Sequence, residues 1–200
     1  MTRLVADAVS ADPIAQFVSW YYEAVAAGVR QPDAMTLATA RPAGAVSART
    51  VLMRGVDDRG FAFYTNLESA KSEDLNLNPR AALVFHWREV ERQVRVVGPV
   101  TRLGDDEAAR YWAARPRGHR LGAWASPQSR AIALDALDAR LAEVEARFAD
   151  LDPPLPPFWG GYVVAVDELE LWQGRTDRLH DRVLYRRTAD RSFIRTQLAP

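Results

Sequence analysis

Apolar residues recur at helical spacing through Ile14, Phe17, Val18, Tyr21 and Val25, and from Ala34 onward the period falls to two. The first run predicts an amphipathic helix packed on a sheet. Asp12 suits its N-cap, Pro13 its first helical position and Gly28 its stop. Alternation then predicts strands over 34–40, 46–53 and 61–65, joined by the turn sequences Arg41-Pro42-Ala43-Gly44 and Asp57-Asp58-Arg59-Gly60. A short helix over 69–77 is stopped at Asn78-Pro79, because the residue before a proline avoids the helical region. Strands over 81–87 and 92–103 follow, the second carrying Gly98-Pro99, which signals a bulge or kink.

Acidic residues at 105–107 open a helix over 105–115, residues 116–129 read as an irregular loop, and a longer helix over 131–148 carries Leu134, Leu137, Leu141 and Val144 on one side. The prolines of 153–157 halt it, and strands over 163–172, 182–187 and 193–198 complete the chain. Residues 1–11 read as a loose, flexible polar leader. No repeat, low-complexity tract or linker divides the rest, so the expectation is a single domain over 1–200. Short strands with helices inserted argue an α+β fold or a small closed antiparallel barrel.

Composition narrows the chemistry. Two hundred residues, 48% hydrophobic, are enough to bury a sizeable core. The 26 basic and 26 acidic residues cancel, which sets nucleic-acid binding behind other classes. Cysteine is absent and the three histidines, His86, His119 and His180, are scattered, so thiolate chemistry is excluded and no metal site is expected. Nothing reads as a targeting segment or a membrane span, and the expected location is cytoplasmic.

Several stretches could carry chemistry. If 178–182 runs extended, Arg178, His180 and Arg182 point one way, able to grip an anionic ring or phosphate beside the flat wall of Trp172. Arg49-Thr50-Val51-Leu52-Met53-Arg54 is a strand with an arginine at each end. Strict alternation puts those two arginines on opposite faces, so a shared site requires a bulge or the strand's end. Ser69 and Lys71, the chain's only lysine, lie where a helix begins and where free backbone N–H groups suit a phosphate. Tyr111 and Arg115 share a helix face and form a second candidate anion grip, followed by Arg117-Gly118-His119-Arg120. Gln93 sits among valines, where a buried amide needs partners. Taken singly, each is better explained by solvated charge or a satisfied core polar group. Together they offer two phosphate grips and an aromatic wall.

The motifs Arg49-Thr50-Val51-Leu52, Phe63-Tyr64-Thr65-Asn66, Glu91-Arg92-Gln93-Val94, Arg115-Pro116-Arg117, Gly122-Ala123-Trp124-Ala125-Ser126-Pro127-Gln128-Ser129, Pro156-Pro157-Phe158-Trp159-Gly160-Gly161 and Trp172-Gln173-Gly174 to Arg178-Leu179-His180-Asp181-Arg182 stand in one order from about residue 12 to the C-terminus. In that register the chain resembles the pyridoxamine 5′-phosphate oxidase family. The resemblance implies a split β-barrel, an antiparallel Greek-key barrel with flanking helices, that forms a homodimer with FMN at the subunit interface. It implies oxidation of pyridoxine or pyridoxamine 5′-phosphate to pyridoxal 5′-phosphate, with oxygen reduced to hydrogen peroxide. By motif, Arg49, Thr50, Val51, Leu52, Arg54, Tyr64, Thr65, Lys71, Gln128 and Ser129 would hold FMN and its phosphate, with Gln93, Trp172 and Arg182 around the flavin ring. Arg54, Tyr111, Arg115 and His119 would hold the substrate phosphate. Arg178 and His180 would be the catalytic pair, covering the substrate ring, with His180 orienting it.

Departures from the family pattern fall in the substrate grip and, at Ala70, beside the lysine of the FMN-phosphate grip. Arg54 stands for a lysine, Ala70 for an arginine, His119 for a serine and Gln31 for a residue often acidic, and the arm that closes over substrate in longer members is short. They leave open a related oxidase acting on another small aromatic, such as a phenazine precursor, or a flavin- or pyridoxal-phosphate-binding protein without turnover.

Overall fold

The computed structural model describes residues 3–200. Helix α1, Pro13–Ala26, begins as expected: the Asp12 side chain accepts from the Ile14 amide and proline fills the first turn. Gly28, at φ 77°, follows its C-cap Ala27. Its inward face delivers Phe17, Trp20 and Ala24 to the core. Phe17 is fully buried and meets Phe61 edge-on at 4.7 Å and Phe85 at 4.9 Å, a cluster in which each ring's burial contributes on the order of 2 kcal/mol.

Strands β1 (Ala34–Ala40), β2 (Val46–Leu52), β3 (Gly55–Asp57), β4 (Gly60–Asn66), β5 (Arg80–Trp87), β6 (Arg92–Arg102), β7 (Trp159–Val164), β8 (Glu168–Gln173), β9 (Asp181–Arg187) and β10 (Phe193–Leu198) pair antiparallel throughout. One path runs β10-β9-β8-β6-β5-β1-β2, and a second arm joins β3, β4 and β7 to β6. This is the curled, antiparallel split barrel. Among the described residues five helices flank it: α1, α2 (Ala70–Leu77), α3 (Asp105–Ala113), α4 (Arg117–Ala125) and α5 (Leu134–Arg147).

The fork lies at Gly98-Pro99. Up to Val97, β6 pairs with β8, and from Val100 it pairs with β7. A Cβ at Gly98 would overlap the Ala165 carbonyl, so only glycine lets the two arms approach at the kink. The barrel is split because β2 pairs only with β1, while β4 pairs with β3 and β7. Between these strands a cleft remains.

The structure departs from the sequence expectations in five places. Residues 163–172 are parts of two strands, separated at 165–167 where the chain changes arm. The stretch expected as an irregular loop contains α4, which begins immediately after Pro116 and tolerates Gly118 and Gly122 because nothing crowds either position. The segment Gly55–Asp57 forms a strand of its own. Helix α5 buries no residue fully and leaves Leu134 79% exposed, so its apolar side covers less than its period suggests.

The fifth departure is the leader. Residues 3–11 form no helix or strand but are tied down: Leu4 and Val9 are buried, the Tyr185 hydroxyl donates to the Ser10 carbonyl, and Arg195 donates to the Val9 carbonyl. The expected leader also includes Met1 and Thr2, which lie outside the described residues.

Candidate functional site

The cleft between β2 and β4 is a cavity of roughly 430 Å³. It gathers Arg49, Thr50, Val51, Leu52, Arg54, Tyr64, Thr65, Lys71, Tyr111, Arg115, Gln128 and Ser129, twelve residues named from the sequence, together with Ala70 and Trp159. Among the described residues its lining contains four cationic side chains and no acidic one. Such a donor set suits anions.

The cations form two groups. Lys71 lies at the start of α2 with its side chain buried, and its ammonium donates to the Thr65 hydroxyl at 3.0 Å, the Ser69 hydroxyl at 3.0 Å and the Gln128 amide oxygen at 2.8 Å. Burial pushes its pKa down to about 8, and Arg49 adds to the push. Arg49 donates to Thr39 at 2.8 Å and also to Ser47, and Asp74 of α2 lies 3.9 Å from its guanidinium. Asp74 is held below the usual carboxylate range by Arg41 and the Thr39 hydroxyl. Ser129, at φ 71°, accepts from the Ala70 amide at the helix start.

Arg54 and Arg115 form the second group. Strand β2 ends at Leu52, and the Arg54 amide donates to the Ala62 carbonyl. Leaving the strand brings Arg54 to the same cavity as Arg49, which strict alternation forbade. Its guanidinium donates to Asp33 at 2.9 Å. Arg115 lies 4.4 Å over the Trp159 ring, and burial lowers its pKa. Tyr111 of α3 stacks on Tyr64 at 3.8 Å and 9°, a contact that requires Gly161, since a Cβ there would lie 2.8 Å from the Tyr64 ring. His119 is exposed on α4 and outside the cavity lining; its carbonyl accepts from Arg115. The Arg115 Nε and Trp159 Nε1 atoms are buried with no hydrogen-bond partner among the described residues.

The remaining residues named from the sequence lie elsewhere. Gln93, Trp172 and Arg182 are mutually opposite across β6, β8 and β9, so their side chains form one row on a single sheet face. Trp172 is four strands along the sheet from β2, roughly 19 Å at about 4.8 Å per strand. None of the three lines the cavity.

The extended row of Arg178, His180 and Arg182 does not form. Residues Thr176–Arg178 make a 3₁₀ turn, Asp177 and Arg178 both have φ of 59°, and β9 begins only at Asp181. Arg178 is therefore presented by a left-handed turn. His180 stands 4.6 Å from the Trp172 ring, and its Nδ1 accepts from the Arg175 amide at 3.1 Å. An accepting Nδ1 leaves Nε2 to carry the neutral ring's proton.

Three carboxylates that organise these side chains were missed: Asp74 beneath Arg49, Glu170 between Arg95 and Arg182, and Asp181. Asp181 accepts from the Leu4 amide, Arg175 and Arg3. Burial pushes its carboxyl up, but those donors outweigh it and hold the pKa below the ordinary value. No period marks such partners, because most of these pairings join residues far apart in the chain.

Residues 22–148 match the family model described as pyridoxamine 5′-phosphate oxidase, and residues 159–200 match that of the pyridoxine 5′-phosphate oxidase C-terminal dimerisation region. The chain is 54% identical over 198 residues to a pyridoxine/pyridoxamine 5′-phosphate oxidase of Rubrobacter xylanophilus, covering 98% of this chain and 91% of that one. It is 52% identical over 185 residues to the enzyme of the same name from Burkholderia lata, covering 92% and 86%. Among solved structures it resembles PhzG from Burkholderia lata, crystallised with tetrahydrophenazine-1-carboxylic acid, at 34% identity and a TM-score of 0.91, covering 98% of this chain and 96% of that one.

Proposed function

The chain belongs to the pyridoxamine 5′-phosphate oxidase family, and from that premise we propose that it is an FMN-dependent oxidase converting pyridoxine or pyridoxamine 5′-phosphate to pyridoxal 5′-phosphate, with oxygen as the acceptor. The observation that carries this reading is the cavity at the split, with two cationic groups and no lining carboxylate. A phosphorylated cofactor meeting a phosphorylated substrate needs two such groups.

The residues fit FMN. Lys71, Arg49, Gln128, Ser129 and the amides at the start of α2 would take its phosphate, and the polar edge of β2, free on its outer side, would take the ring's polar groups. When bound, FMN supplies a two-electron acceptor that oxygen restores. The chain's own residues bind and orient. Arg54, Tyr111 and Arg115 hold the substrate phosphate, Arg178 covers the substrate ring, and His180 offers its Nε2 proton as a donor. Positioning of this kind accounts for most of the rate enhancement. His119 stays outside the cavity lining and reaches the grip through its carbonyl on Arg115.

We also propose a homodimer with FMN at the interface. The cavity and the Gln93–Trp172–Arg182 row are separate regions of one chain, and a second copy can bring its row to the cavity of the first. The match of residues 159–200 to a dimerisation region supports this arrangement.

A second reading, oxidation of a phenazine precursor, is favoured by the structural likeness to PhzG. The two Burkholderia lata proteins weigh against it, since this chain shares 52% identity with the oxidase and 34% with PhzG. Anaerobic addition of pyridoxine 5′-phosphate to the FMN-loaded protein should bleach the flavin absorbance, and oxygen should restore it with pyridoxal 5′-phosphate formed. Retained colour with that substrate, and bleaching by a dihydrophenazine carboxylic acid, would overturn the first reading for the second.

A further inference from the structure

Glu170 lies two residues before Trp172 on β8 and therefore shares its sheet face. An outward-facing carboxylate is ordinarily solvated, yet this side chain is only 8% exposed. Arg95, directly opposite on β6, donates from Nη1 to Oε2 at 2.8 Å. Arg182, opposite Trp172 on β9, reaches back diagonally and donates from Nε to Oε1 at 2.9 Å. The other end of the Arg182 guanidinium is also anchored, with Nη1 donating to the Ala199 carbonyl at 2.9 Å. Both anchors are needed to fix a planar group. Only Nη2 is left without a partner among the described residues.

Stability alone is a weak reason for such a strip, because taking a carboxylate and its guanidiniums out of water costs roughly what their attraction returns. Orientation is a better reason. A free arginine side chain loses rotamer freedom when it is ordered, and an arginine already clamped loses little when a ligand arrives. The carboxylate also offsets one of two neighbouring positive charges, which would otherwise push Arg182 and Arg95 apart.

We propose that Glu170 is a positioning residue for the flavin: it holds Arg182 in line with Trp172 and Gln93, with its Nη2 edge presented to the ring. This rests on the proposed role of Arg182 at FMN. Glu170 itself touches neither cofactor nor substrate and acts through Arg182.

The test is a double-mutant cycle on the full-length protein, read as FMN affinity from the quenching of flavin fluorescence. Glu170→Gln and Arg182→Ala should each raise the FMN dissociation constant on the order of tenfold, equivalent to about 1.4 kcal/mol. The double variant should bind within about twofold of Arg182→Ala alone, because the second change has nothing left to act through. Glu170→Asp, which keeps the charge but retracts it, should give a smaller loss that also vanishes in the Arg182→Ala background. It serves in place of Glu170→Gln should the latter fail to fold. Multiplicative losses would make Glu170 merely structural and overturn the proposal, as would unchanged affinity in both Glu170 variants. Failure of the unmodified protein to bind FMN would instead remove the cofactor reading on which the proposal stands.

Discussion

The cavity at the split and the sheet face around Trp172 are built on opposite plans. Arg49, Lys71 and Arg115 are held in the cavity by strand ends, the start of α2 and stacked rings. Arg178 stands on a 3₁₀ turn with left-handed residues, His180 in the link that follows it and Arg182 on a sheet face, none of them buried. The first region is made to bind before anything arrives. The second is made to be met by another surface, and its Arg178, which serves the substrate, should show its effect mainly in turnover.

Arg178→Ala tests that contrast with the largest effect. Turnover with pyridoxine 5′-phosphate should fall on the order of 10²-fold or more, since the loss is of substrate positioning, while FMN affinity should stay within about threefold, well under 1 kcal/mol. Equal losses of both would erase the distinction between the regions.

Lys71→Ala should do the reverse. Removing a charge-assisted donor costs about 1.5–3 kcal/mol, so FMN should bind roughly ten- to a hundredfold more weakly as measured by fluorescence titration. The fold should survive, because the ammonium is buried at a cost that alanine relieves. Loss of the folded state on this substitution would contradict the assignment of Lys71 to a ligand.

A third prediction concerns pH. The free protein's Lys71 titrates near about 8, below its ordinary value, and a phosphate would raise it by favouring the ammonium. FMN affinity should therefore be full below about pH 8 and fall above it by up to about tenfold per unit. For the FMN-free fold the sign is opposite. The unfolded chain keeps its lysine proton to higher pH, so this residue's contribution makes stability rise between about pH 8 and 10. Lys71→Ala should flatten both dependences, and a pH profile unchanged by that substitution would remove Lys71 as their source.

Much of this was legible in the residues. Asp12-Pro13, the two four-residue turns and Gly98-Pro99 each mark a local backbone requirement, and the structure places a cap, turns and the sheet fork there. Motifs and candidate anion grips together named twelve of the cavity's lining residues, because their side-chain chemistry is written in the sequence itself. What was hidden is long-range or conformational. Glu170, Asp74 and Asp181 read as ordinary charges until strands and helices set them beside arginines. Leu4 and Val9 carry no periodic signal, although their burial ties the leader to the barrel. The left-handed turn at Asp177-Arg178 has no glycine to announce it, so alternation was carried through a segment that is not a strand.

Arg54 gives the smallest and finest test, because it lies in the built region yet serves the substrate end. Its guanidinium donates one nitrogen to Asp33, and the remaining edge of the fork is available to a phosphate. A lysine, the residue usual in the family at this place, offers a point charge that must be shared between Asp33 and the phosphate. Arg54→Lys should therefore raise KM for pyridoxine 5′-phosphate about threefold, roughly 0.6 kcal/mol, with kcat and FMN affinity unchanged. Asp33→Asn in that background should restore KM by releasing the ammonium to the substrate. If Arg54→Lys lowers kcat instead, Arg54 acts on the reacting ring, and the separation between a binding region and a turnover region fails at this residue.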